Sequence, residues 1–140
     1  ANGMEYFNTF GGNPVSCAIG RSVLQVVKEE GLQEQAFLNG FYLKSALGRL
    51  ANEFPVVGDV RGEGLFLGFE LVSTDLKPLE RQASYLVNRM KELGVLMSTD
   101  GPDNNVIKIK PPMVFDKENA MELVTSLRRV LQEDFMKMGY

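Results

Sequence analysis

The sequence contains no histidine. That removes imidazole-activated nucleophiles and histidine metal sites from whatever this chain does alone. It has one cysteine, Cys17, so no internal disulfide forms and no cysteine cluster holds a metal. A lone thiol suits a reducing compartment, and the cytoplasm is the expected location. No apolar run approaches the roughly 18 residues of a spanning helix, so no membrane partner is expected. An excess of positive charge is also missing. Fifteen Lys and Arg stand against 18 Asp and Glu, a formal charge of −3. Such a chain has no electrostatic footprint for DNA or RNA. The opening, Ala1-Asn2-Gly3-Met4-Glu5, lacks the basic and apolar stretches of a signal peptide. It also lacks an initiating Met, and reads as if the chain began inside a longer protein.

What is present describes a folded domain. The chain has 140 residues, 44% apolar and 24% charged, near the globular average. Disorder, fibres and low-complexity linkers are excluded. Ala1 to Asn13 has no clear period and reads as a loop. Asn13-Pro14 makes a helix start, Asn as cap and Pro at the first helical position. Val15, Ile19, Val23, Val26 and Val27 follow at helical spacing, and Gly31 ends the run, predicting a helix over about 14–29. A second helix is expected over about 33–53, with Gly40 and Gly48 inside it, where glycine suggests close packing. The period then becomes two. Strands are expected over 56–61 and 65–71, joined by Arg61-Gly62-Glu63-Gly64. A third helix bears Leu79, Ala83, Leu86, Val87, Met90 and Leu93, and Gly94 closes it. Strands over 95–99 and 106–110 flank an exposed turn, and Asp116 caps a last helix. The order α-α-β-β-α-β-β-α predicts an α+β domain, an antiparallel sheet covered by helices. Phe135, Met136, Met138 and Tyr140 read as a frayed helix end, Met97 and Met113 as core fillers, and Cys17 as a buried small hydrophobe.

The segment Asn8-Thr9-Phe10-Gly11-Gly12-Asn13-Pro14 has the most chemical content. A glycine pair before a helix leaves backbone N–H groups uncovered, and the helix start adds partial positive charge. With the Thr9 hydroxyl, these donors suit a phosphate or carboxylate. The same residues also make a plain glycine turn into a capped helix, and composition does not separate the two. Lys108 and Lys110 alternate with Ile107 and Ile109, which by itself reads as a solvated strand face. Asp59, Arg61, Glu63 and Glu70 read as a solvated charged hairpin.

Three motifs in order add a resemblance. Thr9-Phe10-Gly11-Gly12-Asn13-Pro14 followed by Val15-Ser16-Cys17-Ala18 closely resembles the segment after the cofactor lysine in class III aminotransferases. Val60-Arg61-Gly62-Glu63-Gly64-Leu65-Phe66-Leu67-Gly68 is similar to that family's small-domain hairpin. Lys108-Ile109-Lys110-Pro111-Pro112-Met113 is similar to its Arg-x-x-Pro-Pro strand exit. The segments Asn2 to Asn8 and Ser98 to Pro102 most resemble the branch of ethanolamine-phosphate phospho-lyase and alanine–glyoxylate aminotransferase.

The resemblance implies a pyridoxal-phosphate enzyme of fold type I, of which this chain is the carboxy-terminal third. Residues 1–30 would be a loop and interdomain helix at the large-domain and dimer interface, and 31–140 the small domain. Thr9 would hydrogen-bond the cofactor phosphate of the partner subunit, with Phe10 and Gly11 beside it. Lys108 stands where the family has an Arg that grips a substrate carboxylate. A lysine is a point donor and does not reproduce that fork, which favours a phosphorylated amine as substrate. The expected partners are the large domain of the same protein, a second copy and a small-molecule amine. The motifs that hold the cofactor through a lysine, pair its ring nitrogen and loop around its phosphate are absent. None of the eight lysines lies in an apolar context that would lower its pKa. No catalytic residue and no metal ligand is therefore assigned, and the chain alone should be inactive. The alternative is a non-catalytic α+β interaction module.

Overall fold

The computed structural model describes Gly3 and residues 7–138. Tyr140 of the expected helix end, and most of the segment Asn2 to Asn8 that carries part of the resemblance, lie outside them. The chain divides into two compact units, 1–33 and 34–140.

The first unit is a loop, Phe7–Asn13, leading into α1 (Pro14–Glu29). Asn13 is extended, and its side-chain oxygen accepts the Ser16 N–H at 2.9 Å, covering one of the four donors a helix start leaves open. Pro14 has no N–H to leave open. Gly31, at φ +61°, closes the element in a conformation glycine adopts without strain. The stripe Val15, Ile19, Val23, Val26 runs along α1 as the spacing predicts, yet no residue of α1 is buried. Cys17, expected in a core, is exposed. An apolar helical period fixes a face and does not fix what covers it.

The second unit takes up α2 (Leu32–Glu53) from Glu34 onward, then β1 (Val57–Glu63), β2 (Phe66–Leu71), α3 (Glu80–Glu92), β3 (Ser98–Asp100), β4 (Val106–Ile109) and α4 (Lys117–Leu131). The strands form one antiparallel sheet in the order β1-β2-β4-β3. One face, with Leu67, Phe69, Leu71, Ile107 and Ile109, joins Leu43, Leu47 and Leu50 of α2, Leu86 and Met90 of α3, and Leu123 and Leu127 of α4 in a single core. Each such side chain contributes about 1.5–3 kcal/mol by leaving water. The expected α+β fold is the observed one. Gly64 and Leu65 alone form the β1–β2 turn, and Gly62 belongs to β1. Gly40 packs as expected, because a Cβ there would fall onto the Gly64 carbonyl. Gly48 faces open space.

Several expectations need correction. The strand expected over 95–99 lies at Ser98–Asp100. The Val95 N–H still bonds the Met90 carbonyl at the end of α3, so pairing with β4 starts only where Ser98 meets Lys108. The carboxy-terminal segment is not a frayed helix. Asp134–Lys137 forms a 3-10 turn with Met136 fully buried. The Gln82 amide donates to the Met138 carbonyl at 2.6 Å, and the Phe135 ring lies 4.4 Å from that of Tyr85. Glu133 ties this segment to α3, accepting from both Arg89 Nε and Nη2 and from the Tyr85 hydroxyl at 2.6 Å. Met113, expected in the core, is 42% exposed, since Pro111-Pro112 has already carried the chain out of the sheet.

Candidate functional site

The loop before α1 is built by local bonds. Asn8 bends the chain, its side-chain oxygen taking the Phe10 N–H at 3.2 Å and its carbonyl taking the Gly11 N–H at 3.4 Å. Gly12 follows at φ +76°, the left-handed region that favours glycine. A Cβ on Gly11 would come within 2.8 Å of the Asn8 side-chain nitrogen. The Thr9 hydroxyl and Gly12 N–H find no partner among the described residues, and Thr9, Phe10 and Gly11 are exposed. The first turn of α1 has no acidic side chain to oppose an anion. A phosphate group therefore fits: it would meet a hydroxyl, uncovered amides and the positive end of a helix dipole, with no carboxylate in that turn.

In the second unit, the solvent-facing side of the sheet sets Arg61, Gly68, Lys108 and Ser98 in one register row across all four strands. Lys108 is the one half-buried lysine, and none of the eight is buried. Its Nζ lies 2.6 Å from Asp100 Oδ2. Asp100 Oδ1 accepts the Gly101 N–H at 2.8 Å. The Lys108 ammonium, and then that N–H, hold the Asp100 carboxyl below the usual carboxylate range. Lys110 is exposed. Arg61 bonds Asp59 Oδ2 at 2.8 Å and Glu70 Oε1 at 2.6 Å, which raises its already high pKa. The expected charged hairpin is thus a three-residue ion cluster of Asp59, Arg61 and Glu70.

Thr9, Phe10 and Gly11 belong to the first unit and Lys108 to the second. Sequence reasoning passed over Asp100 as a turn residue. Its pairing with Lys108 follows from the β3–β4 register, which a three-residue strand hardly announces. Among the described residues, no group of three or more acidic or thiol side chains is placed to hold a metal. No helix among them is long and apolar enough to cross a membrane.

The model of the class III aminotransferase family matches residues 2–131. The chain belongs to that family, whose members depend on pyridoxal phosphate. It is 53% identical over 134 residues to an alanine–glyoxylate aminotransferase 2-like protein of Drosophila melanogaster, covering 94% of this chain and 27% of that one. It is 48% identical over 125 residues to the mitochondrial alanine–glyoxylate aminotransferase 2 homolog 2 of Arabidopsis thaliana, covering 88% and 26%. Among solved structures it resembles a phospholyase from Arthrobacter in complex with phosphoethanolamine, with a TM-score of 0.85 and 40% identity over 90% of this chain and 30% of that one. The chain thus spans about a quarter of the length of the curated relatives it matches. The same α+β arrangement recurs in that solved structure.

Proposed function

We propose that this chain is the carboxy-terminal part of a dimeric pyridoxal-phosphate enzyme that acts on a small anionic amine. The cofactor, when bound, supplies the electron sink for carbanion chemistry. This chain's residues bind and orient. Thr9, with Phe10 and Gly11, receives the cofactor phosphate of the partner subunit at the start of α1. Residues 1–30 form the large-domain and dimer interface, and 31–140 the small domain. Lys108 meets the anionic group of the substrate. A point donor suits a tetrahedral phosphate better than a planar carboxylate, which favours elimination from a phosphorylated amine over transfer from an α-amino acid. The observation that carries this reading is the loop of residues 9–13, which offers a hydroxyl and an uncovered amide beside a helix start free of acidic side chains.

Mixed dimers of the full-length protein test the trans arrangement. Thr9→Val and a substitution of the cofactor lysine are placed on the same subunit or on different subunits. If Thr9 serves its partner, the different-subunit pairing keeps one site with wild-type cofactor affinity and the same-subunit pairing keeps none. The reverse pattern would place Thr9 in its own subunit's site. The 140-residue chain alone should catalyse nothing, and borohydride treatment with the cofactor should leave no lysine adduct at a single site. An adduct at one lysine would move the nucleophile into this chain. The lone exposed thiol suits the cytoplasm, and a fluorescent fusion of the full-length protein checks that location against the mitochondrion. The second unit has a core of its own, which a non-catalytic module would also need. The coding sequence upstream of Ala1 separates the two: an open frame of about 300 residues, two further domains' worth, with a lysine at an apolar strand end supports the enzyme.

A further inference from the structure

A hollow of about 390 Å³ opens on the solvent-facing side of the sheet; its walls include the apolar Phe66, Leu67 and Val106, and its charged lining is Arg61, Asp100 and Lys108. Gly68, also in its lining, has no side chain and sits in register between Arg61 and Lys108. The two cations are tied differently. The Arg61 fork is taken by two carboxylates, Asp59 at 2.8 Å and Glu70 at 2.6 Å. Lys108 has one among the described residues, Asp100 at 2.6 Å. An ammonium has three donors, so Lys108 keeps two for a ligand. Arg61 keeps donors too, but Asp59 and Glu70 together outweigh its single charge whereas Asp100 only balances that of Lys108, so of the two Lys108 is the cation able to receive an incoming anion.

A lysine head swings on a flexible stem and needs an anchor before it aims anywhere. Asp100 is such an anchor because it is itself held. The Gly101 N–H fixes Oδ1 at 2.8 Å, and Oδ2 is left to take Lys108. Gly101 adopts φ +82°, and a Cβ there would come within 3.1 Å of Val106 Cγ2. Register places Asp100 opposite Val106, two residues from Lys108, so the ion pair crosses the hairpin diagonally on the hollow's side.

We propose that Asp100 is a positioning residue that holds the Lys108 ammonium beside Gly68 to receive the phosphate monoester of the amine substrate, which rests on the reading of Lys108 given above. A carboxylate that merely neutralised Lys108 would act the other way, since its removal would free a full positive charge and tighten anion binding. The sign of the Asp100→Asn effect therefore decides.

The test uses the full-length holoenzyme, with ethyl phosphate as the probe in calorimetric titrations at fixed ionic strength. Lys108→Ala should weaken ethyl phosphate about tenfold or more, the loss of a charge-assisted hydrogen bond. Asp100→Asn should weaken it about fivefold. Asp100→Glu, which keeps the charge, should recover most of that loss. Gly101→Ala moves the anchor without changing any charge and should weaken binding in the same sense. In steady state, Asp100→Asn should raise KM for a phosphorylated amine and leave kcat within about twofold, as for loss of uniform binding. If Asp100→Asn binds ethyl phosphate as tightly as wild type, or more tightly, while Lys108→Ala does not, the positioning role is overturned and the Lys108 assignment stands. If Lys108→Ala binds it like wild type, the Lys108 assignment itself falls.

Discussion

α1 and α4 are near-equals as sequences. They have 16 and 15 residues, each is entered through a side-chain cap on the N–H of its third residue, and each has an apolar stripe at helical spacing. Five residues of α4 are buried and none of α1. The cap and the period settle that a helix forms and which side is apolar. Burial depends on neighbours brought in from elsewhere, so the two stripes carry different energetic weight. In α4, Leu127 and Val130 share one buried cluster with the sheet's core face and with Met136 of the 3-10 turn. In α1 the stripe adds almost nothing to the stability of this chain and is available for a partner surface.

The sharpest way to break the comparison is to truncate the core. Phe69→Ala removes a fully buried ring from the centre of the sheet and should cost about 3–5 kcal/mol, read from urea unfolding of the 140-residue chain. A cost below about 1 kcal/mol would mean that the sheet's inner face is not the core.

The two glycines of α2 offer the next contrast. Gly40→Ala drives a methyl into the Gly64 carbonyl and should destabilise by about 1–3 kcal/mol, because backbone has little room to move. Gly48→Ala meets nothing and should stabilise by up to about 1 kcal/mol through helix propensity. Opposite signs in one helix, measured by the same unfolding assay, would confirm that α2 touches the hairpin at Gly40 and not at Gly48. Equal signs would remove that contact.

A smaller effect distinguishes the carboxy-terminal clamp from the rest of the second unit. Arg89, and then the Tyr85 hydroxyl, hold the Glu133 carboxyl below its ordinary value of 4.5. A carboxyl lowered by folding adds stability that is present above its unfolded pKa and is lost as pH falls through the lowered value. Tyr85, donating to Glu133, is raised above 10.0, so its contribution is present below that pH and is lost as pH rises through the raised value. Glu133→Gln should flatten the acid limb of thermal stability below about pH 4.5 and return one phenol titration toward its ordinary range. Thermal melts across pH 3–7 and an alkaline absorbance titration read the two limbs. An unchanged acid limb in Glu133→Gln would show that the clamp is broken in solution.

Much of this was legible in the chain. Asn13-Pro14 announced α1, Asp116 announced α4, and the switch from a period near four to a period of two marked the hairpin. What stayed hidden depends on register and on contacts distant in sequence. β3 has only three residues, and its place is set by where Ser98, Thr99 and Asp100 meet β4. Asp100 and Lys108 are eight residues apart and read separately as a turn and a surface cation, until that register puts them at 2.6 Å. Met136 belongs to no period, yet it is fully buried, because Glu133 and Gln82 pin the segment on either side of it. The donors at Thr9 and Gly12 were legible as a loop rich in glycine.

The smallest expected effect is the one that tests what α1 is for. Ile19→Ser, in the middle of its stripe, should change the unfolding free energy of the 140-residue chain by no more than about 0.5 kcal/mol, since Ile19 is 61% exposed. A buried isoleucine at the same helical position would lose several times that. The same substitution in the full-length protein should weaken assembly, because an exposed apolar stripe of this kind is the usual mark of an interaction surface. Unfolding of the short chain and sedimentation of the long one therefore move independently. If Ile19→Ser destabilises the short chain by about 2 kcal/mol, the stripe is covered within these 140 residues and the contrast with α4 disappears. If it changes neither measurement, α1 serves neither core nor interface, and the proposal that residues 1–30 lie at the boundary between subunits falls.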